Sequence, residues 1–279
     1  MIKSHSRLAL ALYALMAVLC IPFLFPTWWM ITSSFKPVSE IFAFPPTLLP
    51  RQFVTDAYGR VFELQPFARQ YFNSLYIAVA VTAGTLAFSS LAGYAFARIR
   101  FPGANLLFML VLTGLLIPSE VTIVPLFQMF LDVGAVNTHW PLILVPMLGA
   151  PSALQTFIMR QFFSGLPHEL EDAARIDGLG RFAIYRRIAL PLAKPALAAV
   201  GIFTFLYSWN LYLEPIVFLS SPDKFTLPQA LTQFVDAYGG PMWNIQLAAA
   251  SLTAIPVLVV FVIAQKQFIE GLAYTGLKG

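Results

Sequence analysis

Six stretches of the chain carry no Asp, Glu, Lys or Arg: Leu8–Phe35, Gln70–Ala97, Phe101–Ser119, Val133–Met159, Pro195–Leu213 and Ala237–Gln265. A helix needs about 20 apolar residues to cross a hydrocarbon layer, so each stretch is long enough to span one. Transmembrane barrel strands would instead alternate apolar and polar residues over segments of roughly 10. No such alternation runs through these stretches. The pattern predicts an all-α polytopic membrane protein with six transmembrane helices.

Composition strengthens this reading. Of 279 residues, 58% are hydrophobic and only 11% charged, against about 25% charged in soluble domains. Lys3 and Arg7 before the first stretch resemble the start of a signal peptide. A signal peptide's apolar core, however, is about 7–15 residues long and ends at small residues. Here the run continues through Phe25, Pro26, Trp28 and Trp29, which reads as a retained helix with an interfacial aromatic belt. Cys20, the only cysteine, reads as a small residue of that helix, and no disulfide can form within the chain.

The cations set an orientation, because Lys and Arg concentrate in cytoplasmic loops. With the N-terminus inside, twelve of them fall on inner segments, whereas Lys36, Arg51, Arg60, Arg69 and Lys224 fall outside. Both termini are therefore expected in the cytoplasm. Residues 36–69 form an external segment whose five prolines argue against a long helix. Residues 218–243 form a second external loop. The segment from about Gln161 to Pro191 is internal and differs from every other loop.

That segment carries its own helix signals. Ser164 and Gly165 break the preceding helix, Pro167 suits a first turn, and Glu169, Glu171 and Asp172 place negative charge at a helix N-terminus. Gly178 stands where a helix would stop. Leu170, Ala173, Ala174 and Asp177 share one small, flat face by their i, i+3, i+4, i+7 spacing. A second short helix is expected over Arg181–Ile188, with Pro191 opening the next span. Two short charged helices in such a loop suit force transmission to a soluble partner, or equally an amphipathic link resting on lipid headgroups.

The run Glu171-Asp172-Ala173-Ala174-Arg175-Ile176-Asp177-Gly178, nine residues, then Ile188-Ala189-Leu190-Pro191 resembles the EAA motif of ABC importer permeases, with Asp172 in place of the family's first Glu. Ser34-Phe35-Lys36-Pro37, Tyr94–Arg98 with Phe101-Pro102-Gly103, Ser208-Trp209-Asn210, Phe225-Thr226-Leu227-Pro228 and the Gly271–Gly279 ending are similar to the maltose permease G-type subgroup. The resemblance implies a type I importer fold in a bacterial inner membrane, whose core over 70–267 holds the coupling loop 161–191. Residues 1–35 would be the N-terminal tail and first helix, 36–69 an external loop and 268–279 a cytoplasmic tail. It also implies a second permease, two ATPase subunits using ATP and magnesium, and an external solute-binding protein. Coupling to the ATPase would fall to Glu171, Asp172, Ala173, Ala174, Asp177, Gly178, Arg181 and Pro191, and a terminal contact to Leu277, Lys278 and Gly279. The external loop with Asp236, Tyr238, Gly239, Gly240 and Trp243 would probe the binding protein, unless it is an ordinary Gly-Gly-Pro turn.

For the solute, Trp209, Asn210 and Tyr212 offer ring faces and hydrogen-bonding groups suited to a sugar, although membrane-helix aromatics serve packing as readily. Glu120 and Glu214 are acids inside apolar stretches, either functional or interfacial carboxylates near the outer surface. Pro118, Pro125 and Pro215 beside them would kink helices. No G-x-x-x-x-G-K-[ST] is present, so ATP is expected to be bound by other chains and no cofactor by this one. His5, His139 and His168 stand apart, with no H-E-x-x-H and no metal site. An ion-coupled carrier is the main rival, and it would place acids near the midplane. Neither an enzyme nor a nucleic-acid partner is expected. The solute is read as a sugar or sugar-like compound, with a glycerol phosphate or glycerophosphodiester as the alternative.

Overall fold

The computed structural model describes residues 2–276, and among them the chain is helical, with one isolated bridge between Val235 and Pro241. The elements used below are α1 (Ile2–Ser33), α2 (Asp56–Leu64), α3 (Phe67–Arg98), α4 (Ala104–Thr113), α5 (Ser119–Asp132), α6 (Trp140–Leu148), α7 (Ala153–Ser164), α8 (His168–Ile176), α9 (Lys194–Trp209), α10 (Leu213–Phe218) and α11 (Trp243–Gly276).

Among the described residues three helices are long and apolar enough to cross a membrane, within α1, α3 and α11. Three further spans arise only if bent pairs are each counted as one: Ala104–Leu116 with Ser119–Asp132 at 102°, Trp140–Leu148 with Ala150–Ser164 at 42°, and Arg181–Leu192 with Lys194–Trp209 at 77°. Six spans are thus reached with broken helices rather than straight ones. The first break falls at Ile117–Pro118, where the ring ends one helix and caps the next. Pro22, Pro26, Pro125, Pro146 and Pro256 are instead accommodated inside helices.

Burial follows the logic of a lipid solvent. Leu10, Tyr13, Phe23 and Leu24 of α1 are exposed, whereas Asn73, Ser74, Thr85, Ser89 and Ser90 of α3 are buried. In lipid the apolar surface has no reason to hide, and helices meet through small or polar faces. Gly93 shows how close that approach is. A Cβ there would stand 2.6 Å from Met159 Cβ and 2.7 Å from the Arg160 nitrogen of α7.

Contacts divide the chain into two compact units: the residues up to Phe67 with Leu231–Ile255, and Ala68–Ala230 with those from Pro256 onward. In the first unit, the segment after α1 is locked by a clamp. Lys36 is fully buried; its Nζ donates to the Thr47 carbonyl at 2.6 Å and lies 4.2 Å from the Trp29 ring centroid. Ser34 meets the Tyr58 hydroxyl at 2.8 Å, and Phe35 stacks on Phe53. Glu40 accepts from the Thr47 hydroxyl and the Arg51 amide, and this second bond above all holds its carboxyl below the usual range. Burial, partly opposed by Glu40, draws the Lys36 ammonium pKa down. The Ser-Phe-Lys-Pro run is therefore a structural staple.

In the second unit, the Pro222–Leu227 loop is stitched to the start of α3. Gln70 donates to Pro222, Asn73 to Asp223 and Phe225, and Ser74 accepts the Leu227 amide. Asn137, in the left-handed region at φ 57°, accepts from the amides of Ser220 and Ser221 and donates to Ser221 Oγ. His139 receives Tyr76 on one ring nitrogen and bonds the Lys224 carbonyl at 2.7 Å through the other. Its burial pulls the imidazole pKa below 6.5.

Candidate functional site

α8 is nine residues long, begins after Pro167 and has Glu169 and Glu171 in its first turn, where the helix dipole favours acids. Pro167 is the residue before the helix rather than part of its first turn. At the other end, the Gly178 amide donates to Arg175 and the Leu179 amide to Ala174, both at 3.0 Å, with Gly178 at φ 81°. This is a Schellman closure, which a residue with a Cβ would strain. The helix is short but closed at its C-terminus.

What fixes its direction is Arg98, the last residue of α3. Its guanidinium donates to the Leu166 carbonyl, stands 2.9 Å from His168 Nδ1, and faces Glu171 with Nε 3.3 Å from Oε1. Their side chains are 2% and 6% exposed. The separation is that of an ion pair without an aligned hydrogen bond between those two atoms. Arg175 adds a second contact, reaching Glu171 Oε2 at 3.3 Å and Asp172 Oδ1 at 2.7 Å. Removing one member of a buried pair costs far more than removing an exposed one.

The structure corrects the face expected to meet a partner. Ala174 is buried within the chain, as is Glu171. Asp172, Ala173, Ile176 and Asp177 lie on the outside, and Ile176 is 87% exposed. The reason is that Glu171 and Ala174, three residues apart, share the face turned to Arg98, so their neighbours one position on point away. Gly178 and Arg181 are exposed as well.

The second short helix is also refined. Arg181–Ile184 is α-helical and Tyr185–Ala189 forms a π-turn, so Arg186 and Arg187 stand on a widened turn. Pro191 does not open the next span; it lies in the short helix Leu190–Leu192, and the chain bends 77° before α9 begins at Lys194. Tyr185 is held from within, its hydroxyl 2.8 Å from Ser90 Oγ and its ring against Tyr94. Tyr94, Met159, Phe163, Tyr185 and Ala189 make one buried cluster beneath the loop.

Sequence reasoning missed Arg98 and His168 as parts of this site. The signal available was Arg98 closing an apolar helix within the Tyr94–Arg98 run, but its partner lies 73 positions away and no spacing rule joins them.

Of the expected solute residues, Trp209 is inside the protein, stacked on Phe205 at 5.7 Å and edged by Tyr71, so it packs rather than faces a solute. Asn210 is exposed and donates to the Leu206 carbonyl, closing α9. Tyr212 is exposed, Glu214 is half-buried at the start of α10, and Glu120 is exposed in the first turn of α5. The Asp236 loop is no floppy turn. Asp236 Oδ1 accepts from the Tyr238 and Gly240 amides, both at 2.8 Å, and its own amide donates to Gly240 at 2.7 Å. The closure leaves Tyr238 99% exposed, while Trp243 meets Phe42 edge to face. Leu277, Lys278 and Gly279 lie outside the described residues. Among the described residues no group of His, Cys, Asp and Glu could hold a metal.

A membrane protein of broken helices, with one short charged helix held by a buried ion pair at the foot of a span, has the architecture of a transporter permease. Residues 86–273 match the family described as binding-protein-dependent transport system inner membrane component, and the chain belongs to that family. It is 40% identical over 258 residues to the arabinooligosaccharides transport system permease protein AraQ of Halalkalibacterium halodurans, covering 91% of each chain. It is 34% identical to the sn-glycerol-3-phosphate transport system permease protein UgpE of Yersinia enterocolitica, covering 98% of each. The fold matches a chain of a bacterial ABC transporter involved in the import of the acidic polysaccharide alginate, with a TM-score of 0.79 at 22% identity, over 95% of this chain and 97% of that one.

Proposed function

We propose that this chain is one of two permease subunits of an ABC importer, forming the translocation pathway for a sugar or sugar-like solute handed over by an external binding protein. The observation that carries the reading is the α8 helix, tied to the foot of α3 by Arg98 and Glu171 while it turns Ala173, Ile176 and Asp177 outward. An apolar side chain as exposed as Ile176, amid charge, is what a docking surface offers. The ATPase subunits bind ATP and magnesium, and this chain is non-catalytic. α8 and both termini face the cytoplasm, as the distribution of Lys and Arg favours. The Asp236–Trp243 loop meets the binding protein on the opposite side, with Tyr238 at its tip.

The relatives named for arabinooligosaccharides favour a sugar. Those named for sn-glycerol 3-phosphate, 34% identical along nearly the whole chain, favour a second reading in which the same machinery imports a glycerol phosphate or a glycerophosphodiester. Purification from the native membrane tests the assignment. A second permease and a P-loop ATPase are expected to accompany the chain, with ATP hydrolysis stimulated by loaded binding protein. Uptake by this chain alone on an ion gradient would refute it. Labelling of an Ile176→Cys variant by an impermeant thiol reagent from outside intact cells would refute the orientation.

A further inference from the structure

A cavity of about 810 Å³ opens among α5, α6, α7, α9 and α10 of the second unit. Its wall is mostly apolar, with the rings of Phe130, Phe203 and Phe218 among its surfaces. Five polar side chains break that wall: Ser119, Thr122, Gln155, Tyr207 and Glu214. Gln155 is only 7% exposed, and among the described residues its Oε1 has no hydrogen-bond partner. A buried amide oxygen without a partner is costly, so its position asks for a donor that the chain itself does not supply. Glu214 and the nearby Glu120 both lie within electrostatic reach of the Tyr207 hydroxyl. Among the described residues no Lys, Arg or His lines the cavity.

These features define a ligand chemistry. Apolar and aromatic walls with a few placed polar groups are typical of small-molecule sites, and the volume lies within their usual range of about 300–1,000 Å³. Gln155 Oε1 and the Glu214 carboxylate are acceptors and call for hydroxyl donors, while Tyr207 can give or take a hydrogen bond. Ring faces suit the C–H faces of a pyranose or furanose. A phosphate or carboxylate on the solute would meet acidic side chains with no cation to answer them. We propose that Gln155, Tyr207 and Glu214 form a solute subsite on this chain that takes an uncharged polyhydroxylated compound and excludes anionic ones. The inference rests on the importer reading and narrows it to the sugar alternative.

The test uses the complete importer, with its partner subunits and binding protein, in proteoliposomes. Arabinotriose, maltotriose and raffinose serve as uncharged probes, and sn-glycerol 3-phosphate and a hexuronate trisaccharide as anionic ones. Wild type is expected to import at least one uncharged probe and neither anion. Gln155→Ala and Glu214→Gln are each expected to lower the maximal rate for that probe about tenfold, the order that follows from the net worth of one hydrogen bond to the solute. Subunit composition and unstimulated ATP hydrolysis should stay unchanged. Preference for an anionic probe, or variant rates within twofold of wild type, would overturn the subsite while leaving the importer reading intact. Loss of the second permease from either variant would show that the cavity is a subunit seam, and would overturn it too. Absence of ATP-dependent uptake of every probe by wild type would sink the importer reading and the inference together.

Discussion

The buried pair at the foot of α3 makes Glu171→Gln the most informative single change. At 3.3 Å, full charges attract by about 5 kcal/mol at an effective dielectric of about 20. Desolvation offsets most of that in the intact pair. Once one partner is neutralised the other charge stays buried without compensation, at about 3–5 kcal/mol. Arg98 keeps the Leu166 carbonyl and His168, so the lower end of that range applies. The penalty falls on a nine-residue helix, and isolated helices below about 12–15 residues are marginal in water. α8 should therefore detach locally, well before the chain unfolds.

Asp172→Asn is the matched control. Its contact to Arg175 is shorter, at 2.7 Å, but the two side chains are 62% and 54% exposed, and exposed pairs contribute about 0–1 kcal/mol. Hydrogen exchange in the assembled importer should show residues 166–180 losing protection by roughly a hundredfold in Glu171→Gln, the equivalent of about 3 kcal/mol. Asp172→Asn should change it by less than tenfold. Stimulation of the ATPase by binding protein should fall in the first variant and persist in the second. Equal protection in both, or a larger loss in Asp172→Asn, would refute the claim that the buried acid is the anchor.

Four further outcomes follow from other contacts. Ala174→Leu, at a buried position, should cost about 1–3 kcal/mol by overpacking and lower the yield of folded chain. Ala173→Leu, on the outer face, should leave yield intact and uncouple ATP hydrolysis from uptake, and a coupled Ala173→Leu importer would count against partner packing on that face. Because burial depresses the His139 pKa, the loop's full stability is present above about pH 6.5 and is lost as pH falls through the lower folded value. Protection over residues 135–140 and 219–225, taken relative to the intrinsic exchange rate at each pH, should fall as pH is lowered from 7.5 to 5.5, and His139→Phe should abolish that fall. Asp236→Ala removes the acceptor of two amides and should loosen the Tyr238 tip, weakening productive contact with binding protein while the complex still assembles. Unchanged uptake kinetics would show that the closed loop is not used.

The six apolar stretches, the acidic helix and its glycine stop were legible in the chain because each depends on residues within one or two turns. The breaks inside the spans were less so. Pro118 bends its segment by 102°, whereas Pro125 and Pro146 stay within helices, and the difference is set by neighbours rather than by proline. The inward face of α8 was misread for the same reason. Spacing groups Ala173 with Ala174, but only Arg98, 73 positions before Glu171, decides which of them turns inward. Trp209 looked like a solute platform because tryptophan is chemically suited to one. The packing of Phe205 and Tyr71 against it is a tertiary fact.

A coupling element has to be stiff in the direction in which it is pushed. α8 alone, nine residues long, would bend or melt under load. Arg98 removes that freedom by holding the carbonyl before the helix, the ring at its first position and a carboxylate one turn on, all from the end of a 32-residue helix. On the far side, Tyr185 ties the π-turn to Ser90 of the same helix. Displacement of α8 must then carry the foot of α3 with it or break a buried ion pair. Gly93, packed against Met159 and Arg160, extends the linkage from α3 to α7 without room for slip. Among the described residues α3 is the one helix to which both halves of the loop are bonded, so a push on the exposed face of α8 is carried inward through α3.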